Sequence, residues 1–240
     1  MLNKGKTLYI IKECELVDIK KDWASLYRRS GSDNPFLSPS WNQMWASSFN
    51  TSWPKVTTAW RDDQLVALGW FNKARNTQFF SDKFFADYSN ILVDPEHEMA
   101  GQLLIERTID GQKCHTTLFE PLRDIEDGTR IILAVALKYL HSQYVLCSNP
   151  YIDLDMSYLS FLSSLPKNLR QDLRTSRNNL SKNGSWHFYE AQTVDDKKRV
   201  LSALISFHVN RQHDKVGKSI FSVEDNVQFF KQIISNNLKE

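Results

Sequence analysis

Hydrophobic positions in the first third of the chain recur first with a helical and then with a strand period. Residues 17–29 place Ile19, Trp23, Leu26 and Tyr27 on one face and predict a helix that ends at Gly31. A second helix is predicted over residues 39–49, because Ser38 can cap it and Pro39 is tolerated in its first turn. Its apolar face consists of Trp41, Met44, Trp45 and Phe49.

Strand patterns surround and follow these helices. A first strand is predicted at residues 7–12, and residues 56–60 and 65–71 flank the polar turn 61–64 as an antiparallel hairpin. Further strands are predicted at 78–80, 91–93, 116–119 and 144–147, with helices at 96–109 and 129–141. This alternation with at least one hairpin predicts a mixed α/β, or α+β, fold class.

The pattern changes after Pro150. Helices are predicted over residues 159–182, 197–209 and 222–238, and only residues 186–190 resemble a strand. We therefore predict two domains, 1–155 and 156–240, the second mainly helical.

Composition narrows the class of protein. No run approaches the roughly 18 apolar residues of a membrane span, and the apolar stretch after the N-terminus is too short for a signal peptide. The cysteines at 14, 114 and 147 are odd in number, far apart and without a C-x-x-C pairing, which favours neither a disulfide framework nor a zinc site. A cytoplasmic protein is expected, and, with 30 basic against 28 acidic residues, nucleic-acid binding by the whole chain is not expected.

The segment from Lys167 to Lys182 is locally basic, with five cationic side chains and one acid, Asp172. Arg170, Arg174 and Arg177 share one helical face, and Leu165, Leu169, Leu173 and Leu180 line a neighbouring face that would anchor the helix. Like charges at this spacing repel, so a compensating anion is expected. It could be Asp or Glu elsewhere in the fold or a phosphate- or carboxylate-bearing ligand, whereas nucleic acid is a weaker candidate.

Several ordered motifs resemble the cellulose-biosynthesis-associated (CelD/BcsL) group of GNAT-type acyltransferases. They comprise Asn34-Pro35-Phe36-Leu37-Ser38-Pro39-Ser40-Trp41, Ala86-Asp87-Tyr88-Ser89, Leu165-Pro166-Lys167-Asn168-Leu169-Arg170-Gln171-Asp172-Leu173-Arg174 and Phe207-His208-Val209-Asn210-Arg211-Gln212. The resemblance covers most of the chain. It implies a GNAT-like domain followed by the opening of a second, with an acyl group transferred from acyl-CoA, such as acetyl-CoA, to a small-molecule, glycan or peptide acceptor in polysaccharide or cell-envelope modification.

The superfamily's pyrophosphate loop has no full match in this chain. Arg28-Arg29-Ser30-Gly31 begins one, but Asp33 stands where a small residue is needed, and a helix-ending glycine explains the match better. The resemblance therefore implies a chain that stops before its donor site. The alternative function is a non-catalytic, truncated interaction module, for which self-association is expected.

Two places supply candidate site residues. Asp87 could bind or deprotonate an acceptor amine with Tyr88 beside it, or be a turn residue next to a packed tyrosine. His208 could act as an acid or base, with Arg211 as a substrate-binding neighbour, although a lone helical histidine is more often structural. Arg170, Arg174 and Arg177 complete the candidate substrate-binding set.

Overall fold

A computed structural model describes residues 8–49, 55–80, 85–111, 114–152, 154–182, 184–213 and 217–236. The strands in these ranges are β1 (Ile10–Glu15), β2 (Lys55–Arg61), β3 (Gln64–Gly69), β4 (Phe71–Ala74), β5 (Thr77–Phe80), β6 (Leu92–Val93) and β7 (Thr116–Leu118). The α-helices are α1 (Lys20–Ser30), α2 (Pro39–Ser48), α3 (Glu98–Gly111), α4 (Asp127–Ala136), α5 (Tyr158–Ser164), α6 (Lys167–Lys182), α7 (Val194–His213) and α8 (Glu224–Ser235). Helices make up 51% and strands 15% of the structure, which confirms the predicted α+β class.

One bent hairpin links the two sheets. The first sheet has the antiparallel order β1-β2-β3-β6, and the second has the order β4-β5-β7, in which β5 and β7 are parallel. Strand β3 pairs with β6 and its continuation β4 pairs with β5. Residues 85–91, which precede β6, lie outside both pairings, and we call them the arch.

The first sheet has a hydrophobic core on each face. Leu92 joins a cluster with residues of α1, α2 and α8, whereas its neighbour Val93 joins a second cluster with residues of α3 and α4. Successive residues of a strand point to opposite faces, so this split follows directly from the pleat.

Helix α8 completes the first core through aromatic contacts. Phe229 is fully buried, and its ring centroid lies 5.1 Å from that of Trp41 and 5.5 Å from those of Phe49 and Phe85. Ser47 donates a hydrogen bond to Gln232 beside them, at 2.9 Å.

The chain separates into two compact units, one made of residues 1–143 with 197–240 and the other of residues 144–196. In the second unit, α5 and α6 contain no buried residue. The division into domains 1–155 and 156–240 predicted from the sequence stays a prediction.

Helix and hairpin predictions in the first 110 residues are largely confirmed. Ser38 caps α2 by accepting from the Trp41 N–H at 3.2 Å, and the strand predicted at 7–12 runs from Ile10 to Glu15, with residue 7 outside the described ranges. The helix predicted at 129–141 ends at Ala136. The helix predicted over 159–182 is broken at Leu165, which is extended because Pro166 follows it.

Two predicted strands are wrong. Residues 144–147 and 186–190 have no strand structure, and their large side chains are exposed. A strand needs a hydrogen-bonding neighbour, and none of the described strands pairs with either segment.

A helix–turn–helix unit occurs twice, although the sequence shows no evident repeat. In the first copy α1 ends at Gly31, the Asn34 side chain accepts from the Phe36 N–H at 3.0 Å, and α2 follows. In the second copy Gly217 has a φ of 103°, Ser219 accepts from the Phe221 N–H at 3.0 Å, and α8 follows. The same local hydrogen bond therefore opens the 3-10 turn that precedes each second helix.

We predict that Phe229→Ala lowers the free energy of unfolding by about 3 to 5 kcal/mol, because it empties the centre of an aromatic core. Phe188→Ala is the matched control, since Phe188 is 90% exposed, and it should change stability by less than about 0.5 kcal/mol. Urea unfolding followed by circular dichroism measures both. Equal effects of the two substitutions would contradict this account of α8.

Candidate functional site

The arch brings Tyr88 into a cluster of polar side chains. Its ring lies 5.1 Å from Phe36 in an edge-to-face contact, and the Arg123 guanidinium lies 4.7 Å from the ring centroid. Two of the motifs singled out in the sequence, 34–41 and 86–89, therefore meet in space through Phe36 and Tyr88.

Glu126 lies at the centre of this cluster. It immediately precedes α4, and its side chain is 13% exposed. Asn34 donates to Oε1 at 3.1 Å and Asn90 donates to Oε2 at 2.6 Å, while Arg123 is 3.4 Å from Oε1. We refer to Asn34, Tyr88, Asn90, Arg123 and Glu126 as the Glu126 cluster.

The two amide donors are held in fixed orientations. The Oδ1 atoms of Asn34 and Asn90 accept backbone N–H groups from Phe36 and Ile91, at 3.0 and 2.9 Å. Both asparagines are almost fully buried. Because each side-chain carbonyl oxygen accepts a backbone N–H group, each NH₂ group faces the Glu126 carboxylate. The two amide donors are therefore already in position to bond the carboxylate oxygens.

Burial raises the pKa of the Glu126 carboxyl above its usual 4.5, because desolvation disfavours the charged form. The hydrogen bond from Asn90, the Arg123 charge and the hydrogen bond from Asn34 oppose this shift, and the nearby Asp33 carboxylate adds to it. A carboxylate whose pKa is raised binds a proton more readily than an ordinary glutamate, which favours a role as general base.

Arg123 joins two carboxylates to the aromatic ring. It bonds Asp33 at 2.9 Å, approaches Glu126 and covers Tyr88, while its own side chain is about a quarter exposed. Together with Asp33, the cluster thus has two potential negative charges against the one fixed positive charge of Arg123. A cationic or hydrogen-bond-donating group is the ligand type that this balance favours.

Gly128 permits the close approach of α4 to the arch. A Cβ atom at this position would lie 2.3 Å from Asn90 Oδ1 and 2.7 Å from the Ile91 carbonyl oxygen. Thr129, one residue later, accepts from Asn90 Nδ2 at 2.9 Å. The start of α4 is therefore packed directly against Asn90, which leaves no room for a side chain between them.

Of the candidate residues predicted from the sequence, Tyr88 is the one that enters the Glu126 cluster. Asp87 is exposed and forms no hydrogen bond or ion pair with another described residue. Only its position next to Tyr88 supports a role as the base that deprotonates the acceptor. Arg211 is exposed on α7.

His208 has local contacts of its own. Its Nδ1 atom is 2.8 Å from Ser219 Oγ, and its ring meets Phe221 edge-on at 5.2 Å. These contacts tie α7 to the turn before α8, which favours the structural interpretation of this histidine over the acid/base one.

The three arginines of α6 form no ion pair with a described acidic residue. Arg170 donates to the backbone carbonyls of Ser163 and Leu165, both at 3.0 Å, at the end of α5. The prediction that leucines anchor this helix is wrong, because α6 has no buried residue.

The partial donor-loop match does not fit a pyrophosphate. Gly31 caps α1, and its N–H donates to the Arg28 carbonyl instead of pointing at a ligand. Asp33 holds Arg123. The interpretation as a helix-ending glycine is confirmed, and residues 28–33 offer acyl-CoA no phosphate site.

Sequence reasoning missed Glu126, Arg123, Asn90 and Gly128. A usable signal was present, since Gly128 sits in the first turn of a helix directly after two acids, a position where glycine lowers helix propensity and indicates close packing. Asn34 lies in the 34–41 motif, but nothing local shows that it or Asn90 faces Glu126.

Within the described ranges, no group of three or more His, Cys, Asp or Glu residues is placed to hold a metal ion. The same residues contain no helix with the length and apolar character needed to cross a membrane. No known family model and no curated protein matches the chain significantly, so the family suggested by the motifs stays a proposal.

We predict that Gly128→Ala destabilises the fold by about 1 to 3 kcal/mol, because the new methyl group forces Asn90 or α4 to move. Gly111→Ala serves as the control, since its nearest atom would be 3.5 Å away at the end of α3, and it should be neutral or slightly stabilising. Chemical denaturation of the three proteins measures the difference. Equal stabilities would show that the contact with Asn90 relaxes freely.

The raised pKa of Glu126 also predicts a pH dependence. A group whose pKa is higher in the folded state contributes stability below its unfolded value, and this contribution is lost as pH rises through the folded value. The stability advantage of the wild type over Glu126→Gln should therefore be larger at acid pH, below 4.5, than at neutral pH. Thermal unfolding of both proteins across this range tests the sign, and an advantage that grew with pH would contradict it.

Proposed function

We propose that the chain is an acyltransferase-family protein and that the Glu126 cluster binds the acceptor, an amine or hydroxyl of a small molecule, glycan or peptide. The observation that carries this proposal is the meeting of the 34–41 and 86–89 motifs around one partly exposed carboxylate. Both motifs belong to the resemblance to GNAT-type acyltransferases linked to polysaccharide or cell-envelope modification.

The cluster suits the acceptor's half of an acyl transfer. Glu126 would accept a hydrogen bond from the acceptor N–H or O–H and take its proton, which leaves a nucleophile with a free electron pair. Asn34 and Asn90 hold the carboxylate in position, and Tyr88 with Phe36 provides an apolar wall beside it. No donor step is assigned, because residues 28–33 do not fit acyl-CoA.

A second candidate is a non-catalytic module that binds the same acceptor. It is favoured by the structure of residues 28–33, where the partial match to a donor loop is a helix cap. In this case Glu126 would recognise an ammonium or hydroxyl group without a chemical step.

The acyl-transfer proposal predicts that the full chain moves a labelled acetyl group from acetyl-CoA to an amino sugar or an amino-acid ester. Glu126→Gln should lower the rate by about 10²- to 10⁴-fold, because the proton acceptor is lost. Asp63→Asn, in the exposed β2–β3 turn, is the matched carboxylate control and should keep the wild-type rate. Asp87→Asn then compares the two acidic candidates directly.

The outcomes separate the two candidates. No product with the wild type, combined with acceptor-induced thermal stabilisation that Glu126→Gln abolishes, would exclude catalysis and support the binding module. If Glu126→Gln kept the wild-type transfer rate and Asp87→Asn lost transfer, Asp87 rather than Glu126 would be the base.

A further inference from the structure

Helix α6 has two unlike sides that are both open to solvent. Its sixteen residues include no buried side chain, and Leu169, Leu173 and Leu180 are 45–47% exposed. These leucines are spaced at i, i+4 and i+11, so they lie in one stripe along the helix. Such a stripe on a helix normally packs against an apolar surface.

The basic side of the same helix has no acidic partner among the described residues. Arg174 and Arg177 are exposed and form no ion pair with the described acidic residues, and Arg170 uses backbone carbonyls. From Lys167 to Lys182 the net charge is +4, with five bases and one acid. A cationic side beside an apolar stripe is the pattern of helices that lie in a membrane–water interface.

Aromatic side chains near the helix add a third observation. Trp186 donates from Nε1 to Ser181 Oγ at 3.3 Å, which holds the indole close to the last turn of α6. Trp186 is itself 43% exposed, and Phe188 and Tyr189 follow it with exposed rings. Tryptophan and tyrosine are enriched where protein meets lipid headgroups.

We propose that α6, with Trp186, binds the surface of a membrane that contains anionic lipids. The arginines would meet headgroup phosphates while the leucine stripe enters the boundary with the acyl chains. The helix lies on such a surface without crossing it. This inference does not depend on the proposed acyltransferase function.

A second copy of the chain and nucleic acid each satisfy only one side of the helix. A symmetric contact with a second copy would bring two +4 segments together, which costs energy through like-charge repulsion. Nucleic acid would neutralise the arginines but leave the leucine stripe in water. An anionic lipid surface matches both the charge and the apolar stripe.

Flotation of the full chain with vesicles tests the proposal. We expect binding to phosphatidylcholine vesicles that contain about one third phosphatidylglycerol, little binding to pure phosphatidylcholine, and weakening by salt. Arg174→Gln with Arg177→Gln should weaken partitioning about 30-fold, at roughly 1 kcal/mol for each basic side chain lost. Leu169→Gln with Leu173→Gln should weaken it on the order of tenfold without changing the charge.

Lys20→Gln with Lys21→Gln is the matched control, because both lysines are exposed at the start of α1 and their loss changes net charge equally. It should leave binding unchanged. Since α6 has no buried side chain, the α6 variants should also keep the wild-type thermal unfolding curve.

Three results would overturn the proposal. Equal binding to neutral and anionic vesicles would remove the role of charge. Equal losses from the α6 and α1 charge variants would show attraction by net charge alone. Retention on duplex DNA that depends on Arg174 and Arg177 but not on the leucines, with no vesicle binding, would assign the helix to nucleic acid.

Discussion

The Glu126 carboxylate, taken largely out of water, is the constraint around which the first compact unit is arranged. A buried carboxylate is costly unless N–H groups replace its hydration. Asn34 supplies one donor from the turn between α1 and α2, and Asn90 supplies another from the arch. These residues are 92 and 36 positions from Glu126, so satisfying one charge fixes three distant segments relative to one another. Gly128 allows the approach by leaving space at the start of α4.

The two helix–turn–helix units show what the carboxylate adds. Both turns open with a polar side chain that caps a backbone N–H, Asn34 in the first and Ser219 in the second. Asn34 has an amide NH₂ group left over and directs it at Glu126, whereas the Ser219 hydroxyl is shared with His208. The first turn therefore becomes part of the Glu126 cluster. The second remains a local connection between α7 and the turn before α8.

Local signals predicted α1, α2 and the β2–β3 hairpin well, because periodicity, a capping serine and a polar turn act over a few residues. Predictions failed where the deciding partner is remote. Residues 144–147 have strand-like composition, but a strand forms only where another strand pairs with it. The leucines of α6 have the spacing of a packed face and yet remain half exposed. Tyr88 was identified from a motif, whereas Glu126 was missed because its environment comes from asparagines far along the chain.

The position of Phe229 has a consequence for biosynthesis. Trp41 and Phe49 precede Phe229 by 188 and 180 positions, so both are translated well before the ring that fills the space between them. A chain that emerges N-terminus first must hold this aromatic surface uncovered until α8 has been made. Chaperones that recognise exposed apolar segments would have access to it during this interval, and folding of the first core is expected to wait for α8.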